Sequence, residues 1–121
     1  MMRNNNKKKQ TRKTFRKDVF QRDNFTCKIC GLREKEINLV IKNDYTSEIL
    51  DCHHITPREQ MLDGGYIKEN GITLCKIFCH EEAEKYLHEE TTNFKFSPKE
   101  LYKIINSSLE LARKKLERNN K

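Results

Sequence analysis

Asp51-Cys52-His53-His54-Ile55-Thr56-Pro57-Arg58, followed after a loop with Gly64-Gly65 by Asn70-Gly71-Ile72-Thr73-Leu74-Cys75, decides how this chain folds. Residues 49–55 read as one β-strand and 71–74 as a second, with Pro57 and the glycine pair marking the loop between them. After Cys79, the run His80-Glu81-Glu82-Ala83-Glu84-Lys85-Tyr86-Leu87-His88 predicts a helix reaching about residue 90. Adjacent strand residues point to opposite faces, so His53 and His54 cannot serve one site in the same way. One can ligate a metal while the other faces a water or a substrate. His80 opens the helix directly after Cys79, so a zinc held at that cysteine would orient a second, open metal site.

Four of the five cysteines come in pairs, Cys27-x2-Cys30 and Cys75-x3-Cys79. Thiolates from two such knuckles close a tetrahedral structural zinc site, and Gly31 after the first pair relieves the backbone as it turns. The competing reading is a set of buried free thiols. Cys52 stands alone in the first strand and is read as a small apolar core residue. An odd cysteine count also argues against a pure disulfide framework.

Working outward, Phe15, Val19 and Phe20 share a face of a helix that starts near Thr11 and ends at Asp23-Asn24, flanked by Arg12, Lys13, Arg16 and Lys17. Residues 1–11, runs of Asn and Lys, are expected to be a disordered basic tail. Leu39, Val40 and Ile41 suggest a short strand. Ser97-Pro98-Lys99-Glu100 is a helix start, with Ser as N-cap and Pro in the first turn. It opens a single long helix carrying Leu101, Ile104, Ile105, Leu109, Ala112 and Leu116 on one face.

The chain has 121 residues, 35% of them hydrophobic and 36% charged, so it forms one domain with a small core that needs a metal or a partner. It has no apolar run of membrane-helix length and no apolar N-terminal stretch, which excludes a membrane protein and argues for an intracellular one. The formal net charge of +7 is uneven. Residues 1–22 carry +8, residues 99–121 carry +4, and the centre holding every Cys and His carries −5. Basic ends around a ligand-rich centre fit arms that hold a polyanion beside a site, against the plainer reading of solvated termini.

Taken together, Asp51-Cys-His-His-Ile-Thr-Pro-Arg58, Gly64-Gly65, Asn70-Gly-Ile-Thr-Leu-Cys75 and Cys79-His80 resemble an HNH endonuclease of the ββα-metal class. The Phe25-Thr-Cys-Lys-Ile-Cys-Gly31 knuckle is similar to that of its zinc-containing, phage-type members. The resemblance covers about residues 15–90. It implies an α+β fold: a small ββα-metal core with a structural zinc site, flanked by an N-terminal helix and a long C-terminal helix. The organisation expected is a tail over 1–11, a nuclease domain over 12–92, and a helix over 93–121 packing on or extending from it. The resemblance also implies roles: His54 as general base, His53 and His80 as ligands of one catalytic divalent ion, and Asn70 as the central Asn that braces the loop. Cys27, Cys30, Cys75 and Cys79 would hold structural Zn2+. The second cysteine pair is one residue longer than usual, and where some relatives carry a further His one turn after the last motif His, this chain has Glu84.

The chemistry is consistent with these roles. A neutral His, with a pKa near 6.5, accepts a proton from an attacking water at neutral pH. A divalent ion such as Mg2+ or Mn2+ with open positions binds a phosphate oxygen and the leaving oxygen together. Glu84 is a candidate third ligand, against the default of an exposed helix Glu, and His88 is read as surface. Arg58 is placed to contact phosphate, as are Arg12, Lys13, Arg16 and Lys17 along the basic helix. The leading expectation is a metal-dependent endonuclease acting on double-stranded DNA in the cytoplasm, that of a phage-infected host included. The rivals are a zinc-stabilised nucleic-acid-binding module without cleavage and a zinc-finger interaction domain.

Overall fold

The computed structural model describes residues 2–35 and 44–119. Helix α1, Met2–Arg22, leads into the first cysteine knuckle. Strand β1, Leu50–His54, pairs antiparallel with β2, Gly71–Cys75, in a register that sets His54 opposite Gly71 and Leu50 opposite Cys75. Helix α2, Cys79–Leu87, follows at once, and α3, Pro98–Ile104, and α4, Leu109–Asn119, complete the chain. The 39–41 strand expectation lies outside the described residues. Among the described residues no helix is long and apolar enough to cross a membrane.

The core forms where the hairpin, α1, α2 and α3 meet. Phe20, Phe25, Leu50, Ile55, Ile72, Leu74, Phe96 and Leu101 are buried there. Helix α1 lies so close to β2 that a Cβ on Gly71 would come within 2.6 Å of Val19 and 2.7 Å of Phe15. Only glycine permits that approach. The end of α1 is then tied down by charge-assisted bonds. Arg22 forks onto Asp23 (2.8 and 2.9 Å) and reaches the carbonyl oxygens of Lys68 and Gly71, both at 2.6 Å. Asp23 in turn accepts the backbone N–H of Thr73 (2.9 Å).

Two boundaries differ from expectation. Helix α1 begins at Met2, so 2–11 is helical and not a disordered tail. Lys and Gln are good helix formers, and once the packed half from Phe15 onward has formed, each added residue gains a bond without a new nucleus. Thr11 also donates to the Lys7 carbonyl (2.9 Å). The single long C-terminal helix is instead two. Asn106 takes a left-handed conformation (φ 55) and Ser108 caps α4 by accepting from the Leu111 N–H (3.0 Å). Asn tolerates that conformation and Ser favours caps, so a local stop outcompetes the continuous apolar stripe. The break turns Ala112 and Leu116 onto Met61, in a second small core under the loop that joins the strands.

Candidate active site and metal centres

The first centre is built from two tight turns. In the first, Cys27 donates its N–H to the Leu32 carbonyl (2.8 Å), Gly31 donates back to Cys27 (3.0 Å), and Gly31 sits at φ 83. Lys28 donates to the Thr73 carbonyl (3.0 Å), which fixes this turn against β2. The second turn joins β2 to α2. Sulfur atoms of Cys27, Cys30, Cys75 and Cys79 all lie within 4.8 Å of one another. Cys30 Sγ and Cys75 Sγ are 3.7 Å apart, as against about 3.8 Å for the edge of a tetrahedron with zinc–sulfur bonds of about 2.3 Å. No disulfide joins any of the five cysteines. Burial raises the Cys75 thiol, but backbone N–H groups of Cys79 and Phe78 outweigh it and bring the pKa down to about 7; the Cys79 bond measures 3.3 Å. A four-sulfur donor set with N–H groups aimed at sulfur suits zinc. The extra residue in the second pair is absorbed by the helix start.

The second centre gathers His53, His80 and Glu84, one potential ligand atom from each within 4.8 Å of the others. His53 Nδ1 is 3.2 Å and His80 Nε2 3.8 Å from Glu84 Oε2. Neighbouring ligands at about 2.1 Å from one ion lie about 3.0–3.4 Å apart, so a small inward shift closes the set. Two imidazoles and a carboxylate form a mixed N,O set that suits a divalent cation. Burial holds His53 below the ordinary imidazole value, Glu84 partly opposing it. Glu84 is itself lowered, chiefly by its bond to His53. His80 Nδ1 pairs with Asp51 Oδ2 at 2.7 Å, leaving Nε2 toward Glu84. Asp51 is partly buried, which raises it, yet His80 and Lys76 bring it below the usual carboxylate range.

His54 occupies the other face of β1. Its ring stacks on Phe15 (centroids 4.5 Å, 26°) and meets Tyr66 edge-on (4.8 Å, 89°). Its Nε2 is buried without a hydrogen-bond partner among the described residues. Burial first, then the Arg58 charge, lower its pKa to about 4. The two faces are joined by a cleft of about 570 Å³ that His53, His54, His80 and Glu84 all line. Asn70 stands behind it, wholly buried. Its Oδ1 accepts from the Thr56 N–H (2.9 Å) and the Tyr102 hydroxyl (2.7 Å), and its Nδ2 donates to the carbonyls of Thr56 (3.1 Å) and Gly65 (3.3 Å). Its hydrogen-bonding capacity is thus spent inside the protein, on the loop between the strands and on Tyr102.

The remaining predicted residues divide. Arg12, Arg16 and Arg58 line the cleft, with Arg16 bonded to the Asp44 carbonyl. Lys13 lines a separate surface groove and Lys17 is exposed. His88, expected at the surface, is exposed but reaches the cleft wall, as does half-buried Cys52. Sequence reasoning missed Asp51, Tyr66, Phe15 and Tyr102. Asp51 was legible in principle, since alternation puts it on the face of His53. The others come from distant elements and left no local signal.

Neither a curated protein nor a solved structure gave a match to this chain. The family model described as HNH endonuclease matches residues 27–85, a span that holds both candidate ligand clusters, His54 and Asn70 and leaves Phe15 and Tyr102 outside. The chain therefore carries, over residues 27–85, a domain of the HNH endonuclease family.

Proposed function

We propose that this chain is a metal-dependent DNA endonuclease that hydrolyses phosphodiester bonds with a histidine base and one divalent ion, on a scaffold held by structural zinc. One observation carries the reading: the His53–His80–Glu84 cluster and His54, with its unpartnered Nε2, line the same cleft. His54 takes the proton of the attacking water. Its depressed pKa, about 4, keeps it unprotonated at neutral pH, and an anionic phosphate entering the cleft raises its basicity toward the working range. The stack on Phe15 and the edge of Tyr66 hold the imidazole plane. His53, His80 and Glu84 would hold the divalent ion, His80 being oriented through Asp51. When bound, that ion supplies Lewis-acid stabilisation of the phosphate and of the departing 3′ oxygen. Asn70 acts at one remove by fixing the chain just after the base.

The test is incubation of the zinc-loaded protein with supercoiled plasmid and Mg2+, Mn2+ or Ni2+, against EDTA controls. His54→Ala should slow cleavage about 100- to 10,000-fold, the usual worth of a placed base, while keeping the fold and plasmid binding. Wild-type protein that binds plasmid but cuts it with none of these ions would leave the binding-only module as the reading.

A further inference from the structure

Three guanidinium groups line the cleft beside the histidines, and they are not equivalent. Arg16 spends two N–H groups on the Asp44 carbonyl, at 3.1 and 2.8 Å. Arg58 donates Nη1 to the Tyr66 phenol oxygen at 3.0 Å. Arg12, one turn before Phe15 on α1, lines this cleft together with Tyr66 and a second groove beside it. Burial raises the phenol, and the Arg12 charge adds to that of Arg58 in holding it below its usual range. Two cations from separate elements are thus brought beside one neutral phenol, and neither has a carboxylate bond among the described residues. Each guanidinium has five N–H donors, and a phenol oxygen uses one. Their double positive charge is left facing the cleft, with Glu59 the acidic group on the adjoining turn. The Tyr66 ring already packs against His54, so an anion held at the phenol is held one side chain from the base.

We propose that Arg12, Arg58 and Tyr66 form a clamp for a backbone phosphate next to the scissile one, so that the substrate is a polynucleotide gripped at two phosphates. This rests on the nucleic-acid part of the reading above. Tyr66 pre-orders the two guanidinium forks, which lowers the conformational cost of a bidentate grip. The clamp also explains why α1, outside the span matched to the family, packs as tightly on Gly71 as it does: the helix delivers both Arg12 and the Phe15 that stacks on the base.

The experiment measures duplex DNA affinity against salt, using the full zinc-loaded chain in a His54→Ala background so that nothing is cut. Each phosphate neutralised contributes about 0.9 to the slope of log K against log salt, and the clamp holds one, so Arg12→Ala with Arg58→Ala should flatten it by about 0.9. Tyr66→Phe keeps both charges and the ring, and should weaken binding several-fold with no change of slope. Replacing both arginines by lysine should likewise keep the slope and lose affinity, because the charge stays and the fork goes. Thermal melting shows that each variant remains folded. A double-alanine slope equal to the parent's, or Tyr66→Phe binding as tightly as the parent, overturns the clamp. Cleavage is not involved, so the clamp and the nuclease reading can fail separately: plasmid nicking by the wild type tests the second alone.

Discussion

Asn70→Ala separates a brace from a group that acts on substrate. The side chain is fully buried and makes four hydrogen bonds, two accepted and two donated. Its removal leaves the Tyr102 hydroxyl a partner, Thr56 Oγ1 at 2.7 Å. It orphans the Thr56 N–H and takes a bond from the carbonyls of Thr56 and Gly65. A buried group left unsatisfied costs about 1–3 kcal/mol, so we take about 3 kcal/mol for the set. At about 4 °C per kcal/mol for a domain of this size, zinc-loaded Asn70→Ala should melt about 12 °C lower, read by circular dichroism. Plasmid cleavage below the melt should fall as well, because Thr56 lies two residues beyond His54. Asn70→Asp keeps the acceptors but faces two carbonyls with a buried charge, and should be at least as damaging. Melting within about 2 °C of wild type together with lost cleavage would refute the reasoning, since the Asn would then be contributing to the reaction and not to the frame.

Elemental analysis should find about one zinc per chain in the wild type, and Cys30→Ser should lose it together with most helical signal, because metal binding and folding are one process in so small a core; a metal-free protein that still melts cooperatively contradicts this. Asp51→Ala should raise the Mg2+ or Mn2+ concentration for half-maximal cleavage about 10- to 100-fold, with the rate recovering at saturation, since it frees His80 Nδ1; an unchanged metal titration counts against it. His54 has a folded pKa of about 4, below about 6.5 in the unfolded chain, so the unfolded state binds the extra proton. Its contribution to stability is complete above about pH 6.5 and is lost as pH falls through about 4. Urea unfolding of His54→Gln should show a shallower acid decline than wild type, and parallel curves would dismiss the assignment.

The hairpin, α2 and both ligand clusters were legible because their residues carry short-range signals: alternation around His53-His54, close cysteine pairs, and a helix opening at Cys79-His80. Glu84 was visible as a position one turn from His80, but only the register of α2 on the hairpin decides that it meets His53. What the sequence hid is long-range. Nothing near Phe15 announces a stack on a residue 39 positions away, and nothing near Tyr102 announces a bond to Asn70. The break at Asn106 was written locally, in Asn-Ser-Ser, but an apolar stripe running through it masked the signal. The helical start of α1 is hidden for the opposite reason: composition points to disorder, and the packing of the helix's distant half overrides it.

Cys79 and His80 are joined by a single peptide bond, one serving the four-sulfur centre and the other the imidazole–carboxylate centre. Any ion that fixes the first turn of α2 at one centre pre-orders a ligand of the other, and the free energy of that coupling has to be the same in both directions. An ion at His53, His80 and Glu84 should therefore tighten the hold on zinc at the four cysteines by the factor with which zinc tightens that ion. A chelator added slowly should strip zinc more readily from protein lacking the second ion than from protein saturated with it. The two clusters, chemically unlike and on different sides of one peptide unit, would then take up their ions as one cooperative system.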